Sequence, residues 1–313
     1  MPAMTPQFDA AGLPPFAPPR THGRFAYSAI VHRPDYRWGN GARLAVYIGC
    51  NVEHFAFGEG MGARLADPYG ACDVLNYSWR EYGNRVGVWR CLEEFDRLAL
   101  PTAAIVNTAL FDHAPSIVAA FVARGDEIVA HGHTNAEQQG EFPEARERAL
   151  LAHCRERILR ETGTAPRGWL SPWIAESALT PDLLAEEGYG YTLNWAHDDQ
   201  PTRLATRAGG SLWSIPYPQE LNDIPMIVGR KLDAPAFARM IVDQFDEMLA
   251  QSNRMPLVMG IALHPYLVGQ PYRLRALRAA LEHIARARDA GRIEVATPGV
   301  LCAHVDALAG AAP

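Results

Sequence analysis

The residues of this chain best suited to chemistry are one carboxylate and several imidazoles, each placed just after a short apolar run. Glu53 and His54 follow 44–51 (LAVYIGCN), His131 and His133 follow Glu127–Ala130, and His264 follows Leu257–Leu263 (LVMGIAL). Ser171 and Pro172 close 168–171, and Asn194, Asp198 and Asp199 follow the run that begins at Tyr189. A carboxylate can take a proton from water, an imidazole can give one to a leaving group, and both can hold a cation. If the runs are successive strands, these side chains stand at equivalent strand ends and share one pocket. His264 is the hardest to read as packing, because a charge-capable residue seldom closes so apolar a strand. Asp198 and Asp199 also suit a turn. Trp173 and Tyr266 suit either a substrate platform or the core.

The elements that would position these residues alternate. Strands are expected at 44–51, 102–107, Glu127–Ala130, 168–171, 189–195, 212–215, Leu257–Leu263 and 293–296. Between them come helical patterns at 84–98, Pro115–Arg124, 143–162, 181–187, Ala234–Gln251 and 273–290, with a last helix from Pro298. Gly125, Gly163, Gly188 and Gly291 stand where helices stop, and Thr180 stands where one would be capped. This order predicts an α/β fold with a parallel sheet. Its length suits a (β/α) barrel of seven or eight mostly parallel strands, with the site at their C-terminal ends. Residues 56–82 read as a long Gly-rich loop. Residues 1–40 carry Phe16, Phe25, Tyr27, Tyr36 and Trp38 without any period. They read as an arm laid over a single catalytic domain at 41–313. Aromatics at that density favour an interface, so a homo-oligomer is expected, with the arm partly on a neighbour.

Composition narrows the function. The 313 residues carry a formal net charge of −6, which gives no footprint for nucleic acid or an anionic membrane. No apolar run approaches the roughly 20 residues of a bilayer span. The N-terminus lacks the basic and apolar regions of a secretory signal. Five scattered cysteines without CxxC spacing read as reduced thiols. A cytoplasmic protein is expected. There is no Walker A sequence, no HExxH and no GxGxxG, so no nucleotide cofactor is expected. Gly168-Trp-Leu-Ser171-Pro172 lacks the final glycine of a nucleophile elbow.

The succession Asn51-Val-Glu53-His54, Glu127-Ile-Val-Ala-His131-Gly, Gly168-Trp-Leu-Ser-Pro172-Trp173 and Leu263-His264-Pro265 resembles the ordered motifs of the polysaccharide deacetylase (NodB-like, carbohydrate esterase family 4-like) superfamily, over about residues 40–305. Three further stretches resemble its cytosolic branch of PuuE-type allantoinases: Arg37-Trp38-Gly-Asn, Asn84-Arg-Val-Gly-Val-Trp89-Arg and Leu263-His264-Pro265-Tyr266-Leu-Val-Gly269-Gln-Pro271. The resemblance implies a distorted (β/α) barrel and a metal-assisted hydrolysis, with Glu53 at the base position and His264 at the acid position. The departures lie in the metal motif. The family's adjacent Asp pair is here Glu53-His54. The second of its two histidines is here Asn135, and the Arg of its third motif is here Leu170.

Two readings of the centre therefore stand. In one, His54, His131 and Asn135 hold a divalent, zinc-like cation, with His133 set aside as lying off the His131 side. In the other no metal takes part, and a protonated His131 or His54 polarises the carbonyl. The base role of Glu53 calls for a pKa nearer neutrality, which burial beside aromatics would supply. Trp173, Asn194, Asp198, Asp199 and Tyr266 are the candidate substrate contacts. The expected function is hydrolysis of a non-peptide carbon–nitrogen bond, that of an amide, cyclic amides included, in a small cytosolic metabolite. The alternatives are N-deacetylation of an N-acetylated sugar or soluble cell-wall precursor, and a degenerate barrel that binds a ligand without turning it over.

Overall fold

In the computed structural model, which describes residues 21–70 and 72–311, nine strands form one sheet. They are β1 (Leu44–Val52), β2 (Ala103–Val106), β3 (Glu127–Ala130), β4 (Gly168–Trp169), β5 (Tyr191–Thr192), β6 (Thr202–Ala205), β7 (Ser211–Ser214), β8 (Leu257–Leu263) and β9 (Glu294–Val295). Their order is β6-β7-β5-β4-β3-β2-β1-β8, with β9 pairing the lower part of β1. Every pairing between strands is parallel except β6 with β7. This is the distorted (β/α) barrel expected from the sequence. The distortion lies at the closure. The free edge of β8 meets irregular chain in place of a strand: Val258 N donates to Asp199 O at 2.8 Å and Ala262 N to Leu221 O at 3.0 Å.

Alternation along the strands sorts side chains into two apolar layers. Ala45, Tyr47, Ile105, Val129 and Val258 point into the barrel with Tyr191, Ile215 and Tyr217. Leu44, Val46, Ile48, Cys50 and Val52 point outward against the helices. β1 and β8 are buried along their whole length, which is why they read as continuous apolar runs. Gly125, Gly163, Gly188 and Gly291 all have positive φ just past helix ends, as expected.

Three local expectations change. Residues 56–82 are not all loop, because Val74–Tyr82 is helical, with the Asp73 side chain accepting from Asn76 N at its start. Its buried residues are Asn76 and Arg80, so it shows no apolar stripe by which to recognise it. It runs through a π-helical turn, Gly83–Gly87, into the helix Val88–Arg97. β6 is an additional strand. Thr180 does not cap its helix, since it is the first helical residue and its hydroxyl donates to Glu147.

The described part of the arm lies on the barrel. Trp38 is buried and donates its indole N–H to Leu257 O at 3.1 Å. Arg24 pairs with Asp182 at 2.6 Å and Arg33 with Asp198 at 2.6 Å. Phe16 lies outside the described residues. Among the described residues no helix is long and apolar enough to cross a membrane.

Candidate active site

Strand register sets the heights of the candidate residues. Val52 lies opposite Val106, Val106 opposite Ala130, and Ala130 opposite Trp169. The next residues, Glu53, Asn107, His131 and Leu170, therefore leave the sheet at one level. Cys50 lies opposite Leu263, so His264 stands level with Asn51. Asn51 and Glu53 share the parity of Tyr47, and His264 that of Val258, so these side chains face into the barrel mouth. They line a cavity of about 240 Å³ with His131, Asn135, Ser171, Trp173, Gln219, Asn222 and Tyr266.

Two close approaches fix this wall. A Cβ on Gly87 would lie 2.1 Å from Pro265 O, and one on Gly83 would lie 2.7 Å from Tyr266 N. The π-helical turn thus packs backbone to backbone against the segment after His264, which explains the glycine in the Asn84–Trp89 stretch. Gly132 has φ +67°, and a Cβ there would meet Pro172 at 2.7 Å. That turn breaks the extended chain after His131. It sends His133 out of the pocket to a contact with Thr108 Oγ1 at 3.0 Å.

Glu53 is the hub. Its Oε1 accepts from Asn135 Nδ2 at 2.6 Å and lies 3.5 Å from Nε2 of both His131 and His264. Its Oε2 accepts from the Tyr266 hydroxyl at 3.3 Å. Burial works to raise the Glu53 pKa, but the charge of His264 and the close approach of both imidazoles outweigh it and hold the carboxyl at about 2. The expectation of a near-neutral Glu53 is corrected for this reason: two imidazoles, and not aromatics alone, surround the buried oxygen. His131 donates Nδ1–H to Leu170 O at 2.7 Å. Among the described residues its buried Nε2 has no hydrogen-bond partner.

His264 is paired on its other side. Its Nδ1 lies 2.6 Å from Asp223 Oδ1, and its backbone N–H donates to Asp223 Oδ2 at 2.7 Å. Burial opposes the imidazolium, yet Asp223 and Glu53 together push its pKa up to about 10. Burial in turn pushes Asp223 up, partly offset by His264. Asp223 was not expected from the sequence. Its one signal is a carboxylate inside the apolar stretch Leu221-Asn-Asp223-Ile-Pro-Met-Ile.

The expected metal ligands do not come together. His54 follows Glu53 and so leaves on the outer side of β1, where its ring lies 4.3 Å from that of His113. Asn135 presents its amide N–H to Glu53, since its oxygen facing a carboxylate at 2.6 Å would set acceptor against acceptor. Of the three, only His131 keeps a free nitrogen in the pocket. The residues present do not fit a cation at the barrel centre.

Among the expected substrate contacts, Trp173 and Tyr266 line the pocket. Trp173 sits at φ +61° and Ile174 at φ +55°, a conformation that costs bulky residues of order 1–3 kcal/mol and tends to mark functional sites. The indole N–H of Trp173 donates to Asn135 O at 2.9 Å. Asn194 lies behind the wall, bonded to Ser171 and Glu176. Asp198 is held by Arg33, and Asp199 lines a separate cavity beside β8 with Pro216 and Gln244. Asn194, Asp198 and Asp199 are therefore set apart from the Glu53 pocket.

No family model matches the chain. Among solved structures, a probable polysaccharide deacetylase from Pseudomonas aeruginosa PAO1 superposes with a TM-score of 0.78 at 26% identity, covering 88% of this chain and 97% of that one. The structure of Puue allantoinase also gives a TM-score of 0.78, at 25% identity, covering 90% of this chain and 98% of that one. In sequence, the peptidoglycan deacetylase of Helicobacter pylori is 25% identical over 235 residues, 65% of this chain and 79% of its own. In sequence and in fold the chain is similar to members of the polysaccharide deacetylase superfamily. With the superfamily comes the expected enzyme class, a hydrolase of carbon–nitrogen bonds other than peptide bonds, of the deacetylase type.

Proposed function

We propose that this polysaccharide deacetylase relative hydrolyses the amide bond of a small metabolite, cyclic amides included, without a metal at the barrel centre. The observation that carries the reading is the convergence of His131 Nε2 and His264 Nε2 on Glu53 Oε1, at 3.5 Å each, inside the pocket. Both contacts are longer than a good hydrogen bond and are given up at little cost to a water or a substrate. The cavity of about 240 Å³ lies below the roughly 300–1,000 Å³ usual for drug-sized ligands. Its size favours a compact substrate over a polymer chain. A small-molecule substrate in turn favours action in the cytoplasm.

Ionised Glu53 accepts a proton from water as its oxygen bonds to the amide carbon. The His131 Nε2, 3.5 Å from the same Glu53 oxygen, faces that water and fixes the direction of attack. The imidazolium of His264 faces the developing oxyanion. It then transfers its Nε2 proton to the departing nitrogen as the carbon–nitrogen bond breaks. A carboxylic acid and an amine result, on one molecule when the substrate is a ring, and the proton taken up by Glu53 returns to the adjacent His264 Nε2. Asp223 holds His264 in place and protonated.

The test is a panel of ureides, cyclic amides and N-acetyl sugars incubated with metal-free enzyme, read by carboxylate, amine or acetate release. Turnover of a ureide or cyclic amide is expected. Exclusive release of acetate from N-acetyl sugars would favour the deacetylase reading, and turnover of none would favour a binding barrel.

A further inference from the structure

Outside the pocket, three side chains from three elements converge. His54 leaves β1 on its outer side, Glu81 lies in the helix Val74–Tyr82, and His113 ends the turn Leu110–His113. Their ligand-capable atoms all lie within 4.8 Å of one another. His113 Nε2 is 2.9 Å from Glu81 Oε2. His54 is fixed by its backbone: its N–H donates to Asn107 Oδ1 at 2.8 Å, and its carbonyl accepts from Asn135 N at 2.8 Å. Among the described residues the buried His54 Nδ1 has no hydrogen-bond partner. Among the described residues Glu81 has no Arg or Lys partner, His113 being its one ion-pair contact. A buried nitrogen without a partner calls for an explanation. A carboxylate and a second imidazole beside it supply one.

We propose that His54, Glu81 and His113 bind one divalent transition-metal cation of the zinc class, on the side of β1 facing away from the pocket. Two imidazoles and a carboxylate are a donor set that zinc accepts, and three protein ligands leave a fourth position for water. Glu81 supplies the negative charge that a set made of His54, His131 and Asn135 would lack. Bonds of about 2.0–2.1 Å bring tetrahedral ligand atoms to about 3.4 Å from one another, so a small rotation of the side chains closes the site. The proton on His113 Nε2 leaves when the cation binds. Bound there, the ion ties the exit of β1 to the helix carrying Glu81 and to the turn carrying His113. It braces the strand end that carries Glu53 and takes no part in the proton transfers proposed above.

The test needs no substrate. The full-length chain, stripped with chelator and dialysed, is titrated with zinc chloride by calorimetry, and its Tm is measured with and without zinc. One ion per chain and a zinc-dependent rise in Tm are expected. His113 is partly exposed, so His113→Gln should fold normally by circular dichroism. Loss of a partner hydrogen-bonded to a metal ligand weakens binding about 10–100-fold, and loss of a ligand should exceed about 100-fold. Glu81→Gln should act in the same direction and serves if His113→Gln does not fold. His131→Ala should bind zinc like the wild type. The proposal is overturned by absence of zinc uptake, by binding that survives in both His113→Gln and Glu81→Gln, or by binding lost only in His131→Ala, which would put the cation in the pocket.

Discussion

Asp223 grips His264 twice, taking one hydrogen bond from its backbone N–H at 2.7 Å and one from its imidazole Nδ1 at 2.6 Å. The first fixes where the residue leaves β8, and the second fixes the ring and favours its charged form. The Nε2–H is thereby aimed into the pocket toward Glu53. This arrangement makes His264 a proton donor that is loaded at neutral pH.

The pH dependence follows with a definite sign. His264 is raised to about 10, so the acid it supplies is present at neutral pH and lost as pH rises through about 10. Glu53 is held at about 2, so the base is lost only in strong acid. The kcat/KM profile should be flat near neutrality, with an alkaline limb near pH 10. Asp223→Asn removes a raising charge and should move that limb to lower pH. A limb unmoved in Asp223→Asn contradicts the pairing.

The same shifts bear on stability. The interactions that raise His264 stabilise the fold fully below its unfolded pKa of about 6.5 and are lost as pH rises through about 10. Those that lower Glu53 act above its unfolded pKa of about 4.3 and are lost as pH falls through about 2. Wild-type stability in urea should therefore fall between pH 7 and 10. In His264→Gln the fall should be smaller, and an equal fall in both proteins would contradict the assignment.

His264→Ala should lower kcat by about 10²–10⁴ and change KM little, because proton donation matters chiefly in the transition state. Steady-state kinetics on the substrate found by the panel checks this. A raised KM with unchanged kcat would instead make His264 a binding residue.

The packing of the π-helical turn gives a prediction away from the chemistry. A Cβ on Gly87 would lie 2.1 Å from the Pro265 carbonyl oxygen. Gly87→Ala should destabilise by about 1–3 kcal/mol, the usual cost of overpacking, read from urea denaturation. It should also lower activity by displacing the segment after His264. Wild-type stability would show that the two backbones can separate freely.

The arm offers a test of assembly. Tyr27 is 92% exposed and Val31 69% exposed, while Trp38 is buried against the chain's own β8. A homo-oligomer is expected by light scattering at micromolar concentration, and Tyr27→Ser with Val31→Ser should weaken it. A monomeric full-length chain refutes this.

Much of the frame was legible because buried strands and helix stops leave plain marks. Leu257–Leu263 reads as an apolar run closed by His264, and Gly125 and Gly291 stand where helices end. The helix Val74–Tyr82 was hidden because its buried side chains, Asn76 and Arg80, are polar. β6 was hidden because it lies at the sheet edge with mostly exposed residues. Within the site, Glu53, His131 and His264 were visible as strand-end residues. The outward turn of His54 was also legible in principle, since neighbours on a strand face opposite sides. Asp223 was not, because it stands at the start of a short π-helical turn, Ile224–Gly229, whose pattern announces no strand end, and its partner is found only in three dimensions. Asp198 misled because Arg33, 165 residues away in sequence, is what it binds.

The central claim is that Glu53 is the base at the convergence of His131 and His264. It is tested most directly by the kcat of Glu53→Gln on the identified substrate, measured in metal-free buffer. Loss of at least about 10²–10⁴-fold is predicted, with the fold intact by circular dichroism. A Glu53→Gln enzyme turning over at the wild-type rate would contradict the account.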